Sequence, residues 1–143
     1  VHVDWQNEMK TLEVGKGRQL RDGNEVAIVS IGHPGNDALS AADDLASKGI
    51  SAAVYDMRFV KPLDYALLDH IATHGYRRII TVEDGVRQGG FGSAILEYFA
   101  EHNYTTPISI LGIPDLFVTH GSIPQLKHDC HFDKEAIVEE AMK

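Results

Sequence analysis

Polar residues and glycines follow each of the long apolar runs in this sequence, and their types could do chemistry. In a parallel α/β sheet, the residues that follow the strands meet at one edge, where ligands usually bind. Carboxylates, histidines and glycines gathered there are the groups that bind phosphate or a metal ion. The candidate residues are His33, Asp37, Arg58, Glu83, Gly89, Gly90, Gly92 and Asp115.

The glycine-rich segment 89–93 resembles a phosphate loop, because backbone N–H groups at a helix start can bind anions. It is neither a G-x-G-x-x-G motif directly after a strand nor a Walker loop. We favour the interpretation that its glycines allow loop and helix to pack closely. The carboxylate of Glu83 is then expected to accept backbone N–H bonds from this loop, holding it against a helix that begins near Ser93.

Arg58 follows the second apolar run and has two interpretations. Its guanidinium could bind a substrate phosphate through two N–H groups. It could instead pair with a nearby carboxylate, such as Asp56 or Asp64, and fix the loop that leads into Pro62. We favour the internal pair.

Two histidine clusters have short spacings, but neither predicts a metal site. His70 and His74 are four residues apart, yet the glutamate that usually follows the first histidine is missing. His128 and His131 flank Cys130, whereas structural zinc prefers well-spaced cysteine pairs. We expect surface histidines and no metal, and we interpret Cys130 as a small, partly buried apolar residue.

Apolar runs alternate with helical patterns along the chain. Strands are predicted near 15–21, 26–31, 51–56, 78–82 and 107–111, and the turn 22–24 follows the first. Helices are predicted after Asp37, Asp64, Ser93, Ser122 and Asp133, most of them capping residues. This order predicts an α/β fold: a three-layer α/β/α sandwich with a mostly parallel sheet of about five strands and one antiparallel edge strand.

Length and charge narrow the class of protein. The 143 residues fit one domain, which we place at 12–143, with 1–11 as a linker from a preceding domain. The formal net charge of -8 argues against nucleic acid or an anionic membrane as a partner. A single cysteine points to a reducing, cytoplasmic setting. The first residue is Val1, which favours a fragment of a longer protein.

Four segments, in this order and spacing, resemble the last domain of 1-deoxy-D-xylulose-5-phosphate synthases, which are transketolase-like enzymes. Segment 56–64 (DMRFVKPLD) is the most specific, and 81–93, 112–121 and 15–18 accompany it. The resemblance covers about residue 12 to the end. One departure is Asp84-Gly85, where such synthases more often have a second Glu followed by Asn or His.

The resemblance implies a parent reaction in which pyruvate is decarboxylated on thiamine diphosphate. The two-carbon unit then joins glyceraldehyde 3-phosphate, giving a precursor of isoprenoids, thiamine and pyridoxal. The family binds the cofactor through magnesium with a Gly-Asp-Gly motif, which this sequence does not contain. The resemblance therefore implies that other domains bind thiamine diphosphate and magnesium. This domain is expected to hold no catalytic, cofactor or metal residue, and to be inactive alone.

Three hypotheses for the role of the domain stay open at this point. It is a scaffold and dimer contact whose partners are the preceding domains of its own chain and a second copy. Alternatively, it is the partner-docking domain of another transketolase-like enzyme, such as a pyruvate dehydrogenase beta subunit. The third hypothesis is an independent regulatory domain for a small ligand. The candidate residues at the strand ends are structural or interface loops under the first hypothesis.

Overall fold

The structure is a computed structural model that describes residues 10–143, so most of the predicted linker lies outside the described residues. Five strands alternate with helices. They are β1 (Arg18–Arg21), β2 (Val26–Ser30), α1 (Pro34–Ser47), β3 (Ala52–Asp56), α2 (Tyr65–Thr73), β4 (Arg78–Val86), α3 (Phe91–Glu101), β5 (Ile108–Ile113), α4 (Ile123–Asp129) and α5 (Lys134–Met142). No helix within 10–143 has the length and apolar character to cross a membrane.

The strands form one sheet in the order β1-β3-β2-β4-β5. Strand β1 is antiparallel to β3, and the remaining pairs are parallel. The sequence prediction of a mostly parallel sheet with one antiparallel edge strand is confirmed. Although the turn 22–24 connects β1 to β2, both sides of β2 are occupied by β3 and β4. Strand β1 therefore pairs on the outer side of β3.

Helices cover both faces of the sheet, as predicted. Successive residues of a strand point to opposite faces, so Val26 and Ile28 of β2 join one core and Ala27 and Val29 join the other. Helices α1 and α5 bury their apolar faces in the first core, while α2 and α3 bury theirs in the second. All five residues of β2 are buried, as expected for a central parallel strand.

Two predicted helix starts are wrong. Helix α1 begins at Pro34 rather than after Asp37, because the fixed φ of proline suits the first helical turn. Asp37 instead lies in that first turn, and its Oδ2 accepts a hydrogen bond from Lys127 Nζ at 2.6 Å. Helix α3 begins at Phe91, two residues before the predicted Ser93. Strand β4 also extends four residues beyond the predicted end at residue 82, to Val86.

Other predicted capping residues are confirmed. Asp64 accepts a hydrogen bond from Leu67 N at 3.1 Å, and Asp133 accepts one from Ala136 N at 2.9 Å. Ser122 and Gln125 form the expected capping box, with Ser122 N donating to Gln125 Oε1 at 3.1 Å. These caps depend only on residues three apart in the chain, so a local sequence pattern is enough to reveal them.

The chain enters the domain at the carboxyl edge of the parallel strands, meaning the edge at which β2, β3, β4 and β5 end. Because β1 is antiparallel, its first residue Arg18 lies opposite Asp56, the last residue of β3. The preceding Gly17 N donates to Asp64 Oδ2 at 3.0 Å. Asp64 thus caps α2 with one oxygen and holds the incoming chain with the other. The described part of the incoming chain therefore reaches β1 at this edge.

Helix α3 is tied to α2 on the outer side of the second core. Asp69 Oδ1 accepts hydrogen bonds from Tyr98 OH at 2.6 Å and from Tyr104 OH at 2.9 Å. These two bonds hold the pKa of Asp69 below its usual range. Burial, together with the bond to Asp69, raises the pKa of Tyr98. The cluster fixes the position of α3, whose first turn forms part of the carboxyl edge.

Candidate functional site

A groove of about 600 Å³ opens at the carboxyl edge between β2 and β4. The chain leaves β2 toward one side of the sheet and returns to β4 on the other, so this is the switch point where α/β sheets usually bind ligands. The groove brings together four of the candidate residues. They are His33, Glu83, Gly89 and Gly90.

The side chain of Glu83 is the most constrained polar group of the groove. It is only 5% exposed, and each of its oxygens accepts one backbone N–H group. Oε2 accepts from Phe91 N and Oε1 from Gly92 N, both at 2.8 Å. First-turn N–H groups have no partner within their own helix, and the helix dipole favours a negative charge there. The predicted bonds from Glu83 to the glycine loop are confirmed.

At two of the three loop glycines, close contacts leave no room for a side chain. A Cβ on Gly90 would lie 2.3 Å from Val86 O and 2.4 Å from Glu83 Oε2. A Cβ on Gly92 would lie 2.6 Å from the side chains of both Thr81 and Ile110. Gly89 has open space around it, but its φ of +74° lies in the region that favours glycine. The preferred interpretation, that these glycines allow close packing, is confirmed for Gly90 and Gly92.

The resemblance of this loop to a phosphate loop does not extend to its chemistry. The N–H groups of Phe91 and Gly92 are already bonded to a carboxylate. An anion placed at the start of α3 would therefore meet the negative charge of Glu83. Ser93 closes the loop from the other side, because its Oγ accepts from Gly89 N at 3.0 Å and donates to Arg87 O at 2.7 Å.

His33 and Asp84 connect the two sides of the groove at its mouth. His33 Nε2 lies 2.7 Å from Asp84 Oδ2. The two side chains are 51% and 44% exposed. An exposed pair of this kind contributes at most about 1 kcal/mol to stability.

The remaining candidates lie outside the groove. Arg58 has a φ of +58°, and its Nε lies 3.8 Å from Asp56 Oδ2. Asp56 also accepts from Arg58 N at 3.1 Å and from Arg18 Nε at 3.1 Å. The internal pair favoured for Arg58 is therefore present, and Asp56, which binds both Arg18 and Arg58, joins β1 to the loop after β3. Asp115 lies on the exposed segment that follows β5.

The histidine clusters make local contacts. The rings of His70 and His74 are 5.3 Å apart, edge to face. His128 Nδ1 lies 2.7 Å from Asp133 Oδ2, and this hydrogen bond raises the pKa of His128. Cys130 is buried in the first core, as expected for a small apolar residue. Among residues 10–143, no three His, Cys, Asp or Glu side chains converge as a metal site.

The sequence reasoning missed a group of exposed apolar side chains after β5. Phe117 is fully exposed at 104%, and Leu116 and Val118 beside it are 60% and 38% exposed. Ile123, at the start of α4, is 68% exposed. The available signal was a run of apolar residues between Pro114 and Gly121 with no helical or strand pattern to bury it. Segment 112–121 had contributed only to the family resemblance.

The sheet order and the groove define a doubly wound α/β domain whose switch point is closed by its own buried carboxylate. A family model described as "Transketolase, C-terminal domain" matches residues 15–137. The chain therefore belongs to the transketolase C-terminal domain family.

Similar proteins agree with this family. The 1-deoxy-D-xylulose-5-phosphate synthase of Parabacteroides distasonis is 48% identical over 98% of this chain, and that of Halothermothrix orenii is 41% identical over 99%. This chain spans 22% of the length of each. A solved structure described as "Split gene transketolase, inactive beta4 tetramer" has a TM-score of 0.83 and 34% identity. The match covers 92% of this chain and 42% of that one.

Replacing Glu83 by Gln tests the paired hydrogen bonds. The carboxamide keeps the size of the side chain, but its NH2 group would face one of the two backbone donors. That donor loses its acceptor, so we expect the free energy of unfolding to fall by about 1–3 kcal/mol in urea denaturation. The control Glu97→Gln is exposed on α3, the helix whose first turn Glu83 binds, and should change the free energy of unfolding by less than about 0.5 kcal/mol. Equal stabilities of the two variants would contradict the role given to Glu83.

Gly90→Val tests the close approach of loop and helix. The added side chain would collide with Val86 O and Glu83 Oε2, so we expect a loss of about 1–3 kcal/mol in the same denaturation. Ala100→Val, at an exposed position on α3, is the control, and it should lower the free energy of unfolding by less than about 1 kcal/mol. In a full-length synthase, unchanged stability and association together with a lost chemical step would instead make this loop part of the active site.

Proposed function

We propose that this chain is the carboxy-terminal domain of a thiamine diphosphate-dependent 1-deoxy-D-xylulose-5-phosphate synthase. The observation that carries the proposal is 41–48% identity over almost the whole chain to relatives with that name. The reaction would join pyruvate and glyceraldehyde 3-phosphate into 1-deoxy-D-xylulose 5-phosphate and release CO2. The parent enzyme is then a transketolase-like transferase that supplies isoprenoid, thiamine and pyridoxal synthesis.

Within that enzyme we assign this domain to scaffolding and dimer contact. The internal use of its carboxyl-edge groups supports the assignment: Glu83 binds its own backbone, Asp56 binds two arginines, and Asp37 binds Lys127. Such contacts make the edge rigid, which suits a surface that meets other domains. A solved relative, of which the match covers 42%, is described as a tetramer, and this supports the assignment. A homodimer of the full-length enzyme is the corresponding proposal here.

The contacts at the switch point argue against a site for thiamine diphosphate and magnesium there. The carboxylate at the switch point accepts an N–H group on each oxygen and is only 5% exposed, which argues against its use as a ligand for a cation. The N–H groups that would receive a diphosphate at the start of α3 are the same two groups. The sequence also contains no Gly-Asp-Gly motif. We therefore propose that other domains bind both groups, and we place no reaction step on this chain.

The setting of the parent enzyme follows from the same proposal. We propose that it works in the cytoplasm, with neither nucleic acid nor membrane as a partner. The formal net charge of -8 supports the absence of these two partners, since nucleic acids and anionic membranes attract basic proteins. The alternative of a docking domain in a dehydrogenase complex predicts a different parent reaction, oxidative decarboxylation of pyruvate.

An activity and binding assay tests the proposal. The chain 1–143 alone, checked for a cooperative thermal transition, should form no 1-deoxy-D-xylulose 5-phosphate from pyruvate and glyceraldehyde 3-phosphate. It should also give no saturable heat when titrated with magnesium and thiamine diphosphate. The full-length protein that contains this chain should form the product. Micromolar cofactor binding by the chain alone would contradict the domain assignment, and a full-length protein that only oxidises pyruvate would favour the dehydrogenase alternative.

A further inference from the structure

The exposed apolar side chains after β5 form a surface that water does not favour. We call Leu116, Phe117, Val118 and Ile123 the apolar edge. A single exposed leucine is ordinary, but a fully exposed phenylalanine beside three more exposed or partly exposed apolar side chains is typical of an interaction site. All four lie on or just after the segment that leaves the carboxyl end of β5, so they belong to the edge where the other strands also end.

A cleft of about 240 Å³ lies beside the apolar edge. Its lining is largely apolar and includes Ile113, Val118, Ile123 and Leu126. A cleft of this kind can receive a large side chain from a partner, which is how the strongest contacts of protein interfaces form. His33 and Asp84 line both this cleft and the groove at the switch point, so the two lie side by side.

The direction in which the chain enters β1 indicates which partner covers the apolar edge. Strand β1 starts opposite the end of β3, so the residues before it reach the domain at the carboxyl edge. Leu12 and Val14, in this incoming segment, are 51% and 68% exposed. Five strands span about 19 Å at their usual spacing. The incoming chain and the apolar edge therefore lie at the two ends of one sheet edge that is narrower than a small domain, about 30 Å across, so one domain can contact both.

The relatives show how much chain is available to cover that face. This chain spans 22% of the length of its synthase relatives, and the matching family is named for a C-terminal position. In such a protein most of the polypeptide would precede this domain and would enter it through β1, at the carboxyl edge. A second copy has no such connection to this edge, so the preceding chain reaches it at a much higher effective concentration.

We propose that the apolar edge docks against the preceding domains of the same polypeptide, with Phe117 entering an apolar pocket there. The proposal rests on the proposed function, in which this chain is one domain of a longer synthase. The docking proposal adds to that function the surface that makes the contact and the part of the polypeptide that it contacts. The groove between β2 and β4 then lies next to the contact between domains.

Photo-crosslinking in the full-length synthase tests this docking. p-Benzoylphenylalanine replaces Phe117 in one protein, Ile123 in a second and Met142 in a third. Met142 is the control because it is 56% exposed and lies at the end of α5. This end of α5 is at the amino edge of the sheet, because Glu140 lies 3.9 Å from Arg78, the first residue of β4. Light and 15N-labelled chains are mixed before assembly, and crosslinked peptides are identified by mass spectrometry.

The expected result is that positions 117 and 123 crosslink to peptides of the preceding domains within one isotopic chain, at least tenfold more than position 142. Crosslinks only between light and heavy chains would overturn the proposal in favour of contact between subunits. No excess over position 142 would also overturn it. The same proteins are assayed for synthase product: product without the crosslink rejects the docking alone, and the crosslink without product rejects the proposed function alone.

Discussion

Two backbone N–H groups at the start of α3 donate to the two oxygens of one buried carboxylate, Glu83. A buried charge is costly unless hydrogen bonds compensate it, and first-turn N–H groups are costly when they have no acceptor. The N–H groups thus compensate the buried charge of the carboxylate, and the carboxylate gives these N–H groups an acceptor. The bonds need the backbone of α3 to approach β4 closely, and this explains why Gly90 and Gly92 have no side chain. The carboxyl edge of the sheet takes its shape from this arrangement.

The other polar contacts of the edge follow the same principle of internal pairing. Asp56 joins the incoming strand to the loop after β3, and Asp64 holds the incoming chain while it caps α2. Carboxylates bonded in this way already have partners within the domain. A rigid edge with internally paired charges and exposed apolar side chains suits contact with other domains. The proposed division of labour, with chemistry elsewhere and support here, is consistent with these contacts.

Much of the fold could be predicted because its signals are local. Buried strands are continuous apolar runs, and the caps at Asp64, Ser122 and Asp133 need only residues three positions away. The error at α1 was avoidable, because Pro34 is itself a local signal for a helix start. The early start of α3 depends on a contact that no local pattern contains, because Glu83 stabilises its first turn. The position of β1 beside β3 also depends on the complete sheet, since β2 is paired on both sides. The bonds of Glu83 were predictable from its place after a buried strand, whereas the exposure of Phe117 depends on the complete fold.

Amide hydrogen exchange of this chain, measured by NMR, tests most directly whether Glu83 organises the carboxyl edge. First-turn amides of a helix normally exchange quickly, because they lack partners within the helix. If Glu83 binds them as described, the amides of Phe91 and Gly92 will exchange as slowly as those of the buried strand β2. Exchange as fast as in the exposed segment 117–121 would show that the two bonds do not persist in solution, and it would contradict this account of the edge.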